Sequence, residues 1–208
     1  MINNYDSVAI RISAGATSSQ KKYGTSFTAT KQNWLSFVTV FVALFSFVFV
    51  QGQTTLISPT GDGGFENGIT LTQNGWTAVN SAQSFFVGSP TPASAGSNCV
   101  YTSTTSGAWT AGTSSSVTHI YRDVVIPAGE TILTFSLKYK ISAIDATYDF
   151  LKVHLVPTSI TPVAGTELTT GQLGVNTDGT TAYVTYNFNT TVTGGTTQRV
   201  VISFKNDG

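Results

Sequence analysis

Leu133-Thr134-Phe135-Ser136-Leu137-Lys138-Tyr139-Lys140-Ile141 carries an apolar side chain at every second position and a polar one between each pair. Successive side chains of an extended chain point to opposite faces. This stretch therefore predicts a strand with Leu133, Phe135, Leu137, Tyr139 and Ile141 turned inward and Thr134, Ser136, Lys138 and Lys140 turned outward. The same period of two recurs in three places. Leu151, Val153 and Leu155 oppose Lys152 and His154; Val184, Tyr186 and Phe188 oppose Tyr183, Thr185 and Asn187; Val200, Ile202 and Phe204 oppose Arg199, Ser203 and Lys205. Shorter strands are expected at Thr54–Ser58, Trp76–Asn80, Ser84–Val87, Asn98–Thr102 and Val117–Ile126. They are separated by turn-forming stretches such as Gly61-Asp62-Gly63-Gly64, Asn74-Gly75, Pro127-Ala128-Gly129, Asp178-Gly179 and Gly194-Gly195. No stretch keeps a helical period. About nine strands, each with one apolar face, predict an all-β fold: a two-sheet antiparallel β-sandwich, with a jelly roll first and an immunoglobulin-like arrangement second.

Upstream of these strands the chain changes character. Lys21, Lys22 and Lys31 precede an uncharged, mostly apolar run from Trp34 to Val50, and Val50 and Gly52 stand at −3 and −1 of a candidate cleavage point before Gln53. A basic flank, an apolar centre and small residues at the cut are the marks of a secretory signal. The alternative is a membrane anchor. Leu35–Val50 is short for that and is interrupted by Ser36, Thr39 and Ser46, whereas a span needs ~20 apolar residues. Under either reading the basic flank stays inside and the following residues are exported. Residues 1–52 are thus expected to be an N-terminal extension and signal peptide, and 53–208 a single secreted or cell-surface domain. At the far end Lys205-Asn206-Asp207-Gly208 reads as a turn. A further strand is expected beyond it, which makes the chain a C-terminally truncated fragment with a sheet edge left unpaired and more domains to follow.

Residues 53–208 contain six basic and nine acidic side chains, rich surroundings of Thr, Ser and Gly, and no Lys/Arg cluster. Nucleic acid is therefore not an expected partner. The β-branched and aromatic content argues against a disordered linker. Cys99 is the sole cysteine, so the domain has no internal disulfide and must rely on its core; the thiol is either buried or free.

A series of short motifs carries a family resemblance. These are Gly61-Asp62-Gly63-Gly64-Phe65-Glu66-Asn67-Gly68 with Asn74-Gly75-Trp76; Tyr121-Arg122-Asp123 leading to Ile126-Pro127-Ala128-Gly129; Tyr148-Asp149-Phe150-Leu151-Lys152-Val153; Thr161-Pro162-Val163-Ala164-Gly165-Thr166; and Phe204-Lys205-Asn206-Asp207-Gly208. Together they resemble the N-terminal jelly-roll domains of large adhesin-like surface proteins exported by the type IX pathway in gliding bacteria. The opening motif is also similar to carbohydrate-binding jelly rolls and to MAM adhesion domains. The resemblance implies a structural calcium held by Glu66, with Asp62 beside it; a carboxylate among backbone carbonyls suits that hard ion. The plain alternative is an exposed Glu in a Gly-rich turn.

His119 and His154 lack the close spacing of zinc ligands and read as strand residues. No Gly-x-Ser-x-Gly elbow is present. Asp145 and Asp149 could flank a glycosidic bond, but a solvated loop is the simpler reading. Tyr121 and Arg122 could contact a sugar by stacking and hydrogen bonding, or could serve an ion pair within the sheet. Trp109 sits in a Thr/Ser/Gly/Ala loop with no apolar neighbours, which makes it the leading candidate for a ligand contact. The expectation is a non-catalytic adhesion or ligand-presenting module whose partner is a glycan or a surface protein. A carbohydrate-binding module that targets an attached hydrolase and a plain spacer are the alternatives. Mass spectrometry of the exported protein is expected to find a chain that begins at Gln53; a product that retains residues 34–50 would establish an anchor instead.

Overall fold

A computed structural model describes residues 13–16, 53–90, 92–110, 112–141, 148–177, 179–180 and 182–208. Ten strands are described: β1 (Ser13–Ala16), β2 (Thr77–Val79), β3 (Ser84–Gly88), β4 (Cys99–Ser103), β5 (Ser116–Val125), β6 (Ile132–Tyr139), β7 (Phe150–Pro157), β8 (Gln172–Thr177), β9 (Val184–Thr191) and β10 (Thr197–Asn206). One 3-10 turn, Thr72–Asn74, precedes β2. All pairings are antiparallel. The strands form a five-stranded sheet in the order β2-β5-β10-β7-β8, a three-stranded sheet β1-β6-β9 and a two-stranded ribbon β3-β4. The fold is an all-β sandwich. The expected pair of sheets is joined by the β3-β4 ribbon as a separate third piece.

The pairing is nested. β7 pairs with β8, β6 with β9, and β5 with β10. From β5 to β10 the chain passes from the large sheet to the smaller one and back, twice. The apolar faces read from the sequence meet between the sheets. Leu133, Phe135 and Leu137 of β6 face Leu151 and Val153 of β7 and Val200, Ile202 and Phe204 of β10, all in one buried cluster. Phe135 stacks on Phe188 of β9 at a ring separation of 4.9 Å. Period-two burial holds along β6, where buried and partly exposed residues alternate up to Tyr139.

Three sequence expectations change. Residues 54–58 form no strand: Ile57 is buried, but the chain bends there, and the Ser58 carbonyl accepts from the amides of Gly61, Gly63 and Gly64. Strand β8 is an addition to the strands read from the sequence; it carries no clean alternation, because Gly174 adopts φ +66° and the β7-β8 register shifts between Leu151 and Val153. The residues set opposite the apolar faces of β7 and β10 are largely buried, and so is His119 of β5. His119, His154, Val201 and Ser203 are each 5 % exposed or less, because the segment 158–171 lies across that outer face. At the chain end Lys205 and Asn206 continue β10 rather than turning, and the Asp207 amide donates to Asp149 Oδ1 at 3.0 Å. Asp145 and Asp178 lie outside the described residues, as does the apolar run 34–50. Among the described residues no helix is long and apolar enough to cross a membrane.

Cys99 is buried at the start of β4. Its thiol lies 3.3 Å from the Gly88 carbonyl, and burial, helped by Glu66, pushes it up to about 11. It is an inert core group rather than a reactive thiol. Removing the ring of the fully buried Phe135 leaves a cavity beneath Phe188, so Phe135→Ala is expected to destabilise the domain by about 3–5 kcal/mol in denaturant unfolding.

Candidate functional site

The residues singled out by the sequence fall into three separate places. The first is the opening loop. Asp62 Oδ1 accepts from the amides of Ser58 (2.6 Å) and Gly63 (2.9 Å), and its Oδ2 meets Arg122 Nη1 at 2.5 Å. The Asp62 carbonyl accepts from Trp76 Nε1, and the Arg122 guanidinium lies 5.6 Å from the Trp76 ring centre. Buried Asn74 closes the same loop by accepting from the Asn67 amide and donating to the Gly68 and Thr70 carbonyls. Phe65, at φ +59°, is driven into the core against Trp76. The loop thus clamps the domain's N-terminal side onto β5, and Arg122 and Asp62 are the clamp.

Glu66 points elsewhere. Its Oε1 accepts from the amides of Ser97 (2.9 Å) and Asn98 (3.1 Å), and it lies so close to Gly96 that a Cβ there would collide with the carboxylate. Asp62 and Glu66 therefore serve different partners. Among the described residues no three of His, Cys, Asp and Glu come together as a metal would require. The donor set as arranged does not make a calcium shell, since one carboxylate is neutralised by Arg122 and the other is spent on two amides.

The second place is the outer face of the five-stranded sheet. Tyr121 lies here, on the opposite face of β5 from Arg122, so the two do not act on one ligand. Arg199 Nε and Nη2 grip both oxygens of Asp123 at 2.7 and 3.0 Å, and the guanidinium lies 4.3 Å from the Tyr121 ring centre. Arg199 Nη1 also donates to the Ile160 carbonyl and the Thr161 hydroxyl, both at 3.0 Å. Next along the face, His119 Nε2 lies 3.2 and 3.1 Å from the Val163 and Thr166 carbonyls. Two carbonyls only accept, so Nε2 carries the hydrogen, and Nδ1 takes the Ser203 hydroxyl at 2.7 Å. His154 Nδ1 donates to the Thr170 carbonyl at 2.9 Å, and its Nε2 is buried without a partner. Glu167 reaches Lys152 (3.4 Å) and Lys205 (3.7 Å), and the Gly165 amide bonds the Val117 carbonyl. Segment 158–171 is thereby latched to β5, β7 and β10. The Ser203–His119 pair has the spacing of a nucleophile and its base, but both side chains lie under this segment and neither lines the cleft described below.

Burial pushes both histidines below the ordinary 6.5. For His119 the Val163 and Thr166 carbonyls oppose the shift. For His154 the Thr170 carbonyl and Glu167 oppose it, and Lys152 and His119 deepen it. The sequence held a signal for this buried face, because Val200-Val201-Ile202 is apolar without a break, the mark of a strand covered on both sides.

The third place is Trp109, half-buried in the β4-β5 connection. That loop is organised by Ser103, whose hydroxyl meets the Thr105 and Thr110 amides and the Ala108 carbonyl, and by Tyr101, whose hydroxyl accepts from Gly107. Asn206 Nδ2 donates to the Gly112 carbonyl, which fixes this connection beside the end of β10. No described hydrogen bond, ion pair or ring contact joins Trp109 to Tyr121 or Arg122.

At the other end of β10 an open cleft of ≈ 480 Å³ lies where the two sheets part. Leu155, Leu173 and Val192 supply its apolar surface. Gln172, Gln198, Thr190, Thr191 and Thr193 supply hydroxyls and amides, and among the described residues no lining side chain is ionisable. Gln198 and Asn206 are eight residues apart on one strand, so the cleft and the Trp109 loop are separated by about 26 Å. The cleft leaves little sign in the sequence, since its residues come from four strands and the segments beside them and none stands out by type. No family model, no curated protein and no solved structure matches this chain.

Because both histidines are neutral when folded, they bind protons more readily once unfolded. Their contribution to stability is complete above pH 6.5 and is lost as the pH falls below it towards their lowered folded values. The melting temperature is expected to fall between pH 7.5 and pH 5, and to fall less in a His119→Gln/His154→Gln variant; an equal fall in both proteins would place the acid-labile groups elsewhere.

Proposed function

We propose that this chain is a non-catalytic, exported ligand-binding module of a cell-surface or secreted protein, built on a jelly roll, and that its ligand is a neutral, hydroxyl-rich glycan bound in the cleft between β8, β9 and β10. The observation that carries the reading is the chemistry of that cleft. Its volume lies in the range of small-ligand sites, which is about 300–1,000 Å³. It offers threonine hydroxyls and glutamine amides over a short apolar floor, and none of its described lining side chains is a carboxylate, imidazole, amine or thiol. Such groups can exchange hydrogen bonds with sugar hydroxyls but cannot cut a glycosidic bond, which needs two carboxyl groups.

The nested pairing of β7-β8 within β6-β9 within β5-β10 supports the jelly roll, since a ribbon folded over and rolled up pairs its strands in this way. The likeness of the motif series to surface adhesin jelly rolls supports the adhesive role, and the apolar run 34–50 with its basic flank supports export. Calcium at Glu66 and Asp62 is not part of the reading, because both carboxylates already have partners.

A glycan-array screen of the full chain, with and without calcium, tests this. Saturable, calcium-independent binding is expected. Thr191→Ala/Gln198→Ala is expected to weaken it about tenfold or more, the cost of two lost hydrogen bonds, while Trp109→Ala leaves it unchanged. Loss confined to Trp109→Ala would move the site to the β4-β5 loop. Silence from a folded protein would leave a spacer or a protein-binding module.

A further inference from the structure

Strand β1 lies on the wrong side of the apolar run. Ser13–Ala16 pairs antiparallel with β6, Ser13 opposite Ser136 and Ala16 opposite Leu133. Yet these four residues precede residues 34–50, whereas β6 follows them. In a chain exported by such a signal, the part before the apolar run stays behind and is severed from the part that crosses. The β1-β6 pairing and the exported state therefore exclude each other: β6 can hold β1 only while the chain is whole and on one side of the membrane.

What remains when β1 is gone is decided by β6 itself. On its other edge all eight residues pair with β9, from Ile132 opposite Thr191 to Tyr139 opposite Val184. Leu133, Phe135 and Leu137 are at most 1 % exposed, and Phe135 is stacked on Phe188. The strand is thus held by its core face and by β9, and it stays extended when β1 leaves. A strand so fixed presents a preformed row of unpaired amides and carbonyls, which is a template for another strand. Lys138, the exposed charge that tempers this edge, stands outside the stretch that β1 covers.

We infer that the β6 edge from Leu133 to Ser136 is a strand-acceptor site, filled in the whole chain by Ser13–Ala16 and able, before export separates the two, to take that same extended segment from a second whole chain. The ligand is an unfolded, antiparallel backbone segment, recognised through its amides and carbonyls. The site is distinct from the cleft and does not depend on the glycan reading.

Hydrogen exchange on the full-length chain tests it. Ala14→Pro/Gly15→Pro removes the amide hydrogen of whichever of the two neighbours faces β6. The β6 amides between Leu133 and Ser136 that face β1 are then expected to exchange about tenfold faster or more, with β5 and β10 still protected. A synthetic peptide of residues 10–19 added to this variant is expected to restore protection saturably. Unchanged exchange in the variant would overturn the inference, and so would faster exchange that the peptide does not reverse. Should the prolines unfold the domain, Ser13→Cys/Ser136→Cys in the otherwise native chain takes their place: the opposed thiols are expected to cross-link under mild oxidation, and failure to do so in a folded protein would overturn it equally.

Discussion

Strand β10 is paired along both edges, with β5 on one side and β7 on the other, and it is covered on both faces. Most of the architecture follows from that double enclosure. Its inner side chains, Val200, Ile202 and Phe204, meet the smaller sheet and need only be apolar. Its outer side chains alternate with them and include Arg199 and Ser203, which cannot be buried without hydrogen-bond partners. Asp123 and the segment 158–171 supply them to Arg199, and His119, itself held by that segment, supplies one to Ser203. Carbonyls of Ile160, Val163, Thr166 and Thr170 meet Arg199, His119 and His154 in turn. A loop that crosses a sheet must satisfy its own carbonyls, and a sheet face with buried donors must satisfy those; here each solves the other's problem.

The scarcity of charge in the domain has a related effect. Arg122 is committed to Asp62, Arg199 to Asp123, and Lys152 and Lys205 to Glu167. Each pair joins elements remote in sequence: the opening loop to β5, β5 to β10, and the latch segment to β7 and β10. The Arg199–Asp123 grip is bidentate, which adds directional precision, although partial exposure of Asp123 keeps its energetic worth near that of a surface pair. The charges set register and hold loops in place.

The strands with one apolar face, β6, β9 and the inner side of β7 and β10, were legible in the sequence, because burial on one side imposes a period of two. The outer face left one trace only, the unbroken apolar run Val200-Val201-Ile202. Its cover, segment 158–171, binds through backbone carbonyls, which every residue type possesses and which leave no mark on the sequence. Strand β8 was hidden by Gly174, whose left-handed backbone breaks the alternation. Thr54–Ser58 looked like a strand by composition, but three glycine amides gather on the Ser58 carbonyl and turn the chain. Among the candidate site residues, Tyr121-Arg122-Asp123 stood out as a polar island within a strand, and it proved to be one; which of its neighbours each member would choose depended on the registers of β5 and β10 and on the path of the opening loop. The cleft was invisible because threonine and glutamine are common on strands and acquire meaning only when separate strands bring them together.

The nested pairing also sets an order in time. Ser116 must find Asn206, and Val125 must find Thr197, across the whole length of chain that makes β6 to β9. Contacts that close such long loops form slowly, and the innermost pair, β7 with β8, has the shortest loop to close. Among the described strands β10 comes last in the chain, so the large sheet lacks its central strand until all the others are present. The topology itself thus delays closure of the large sheet to the final step of assembly.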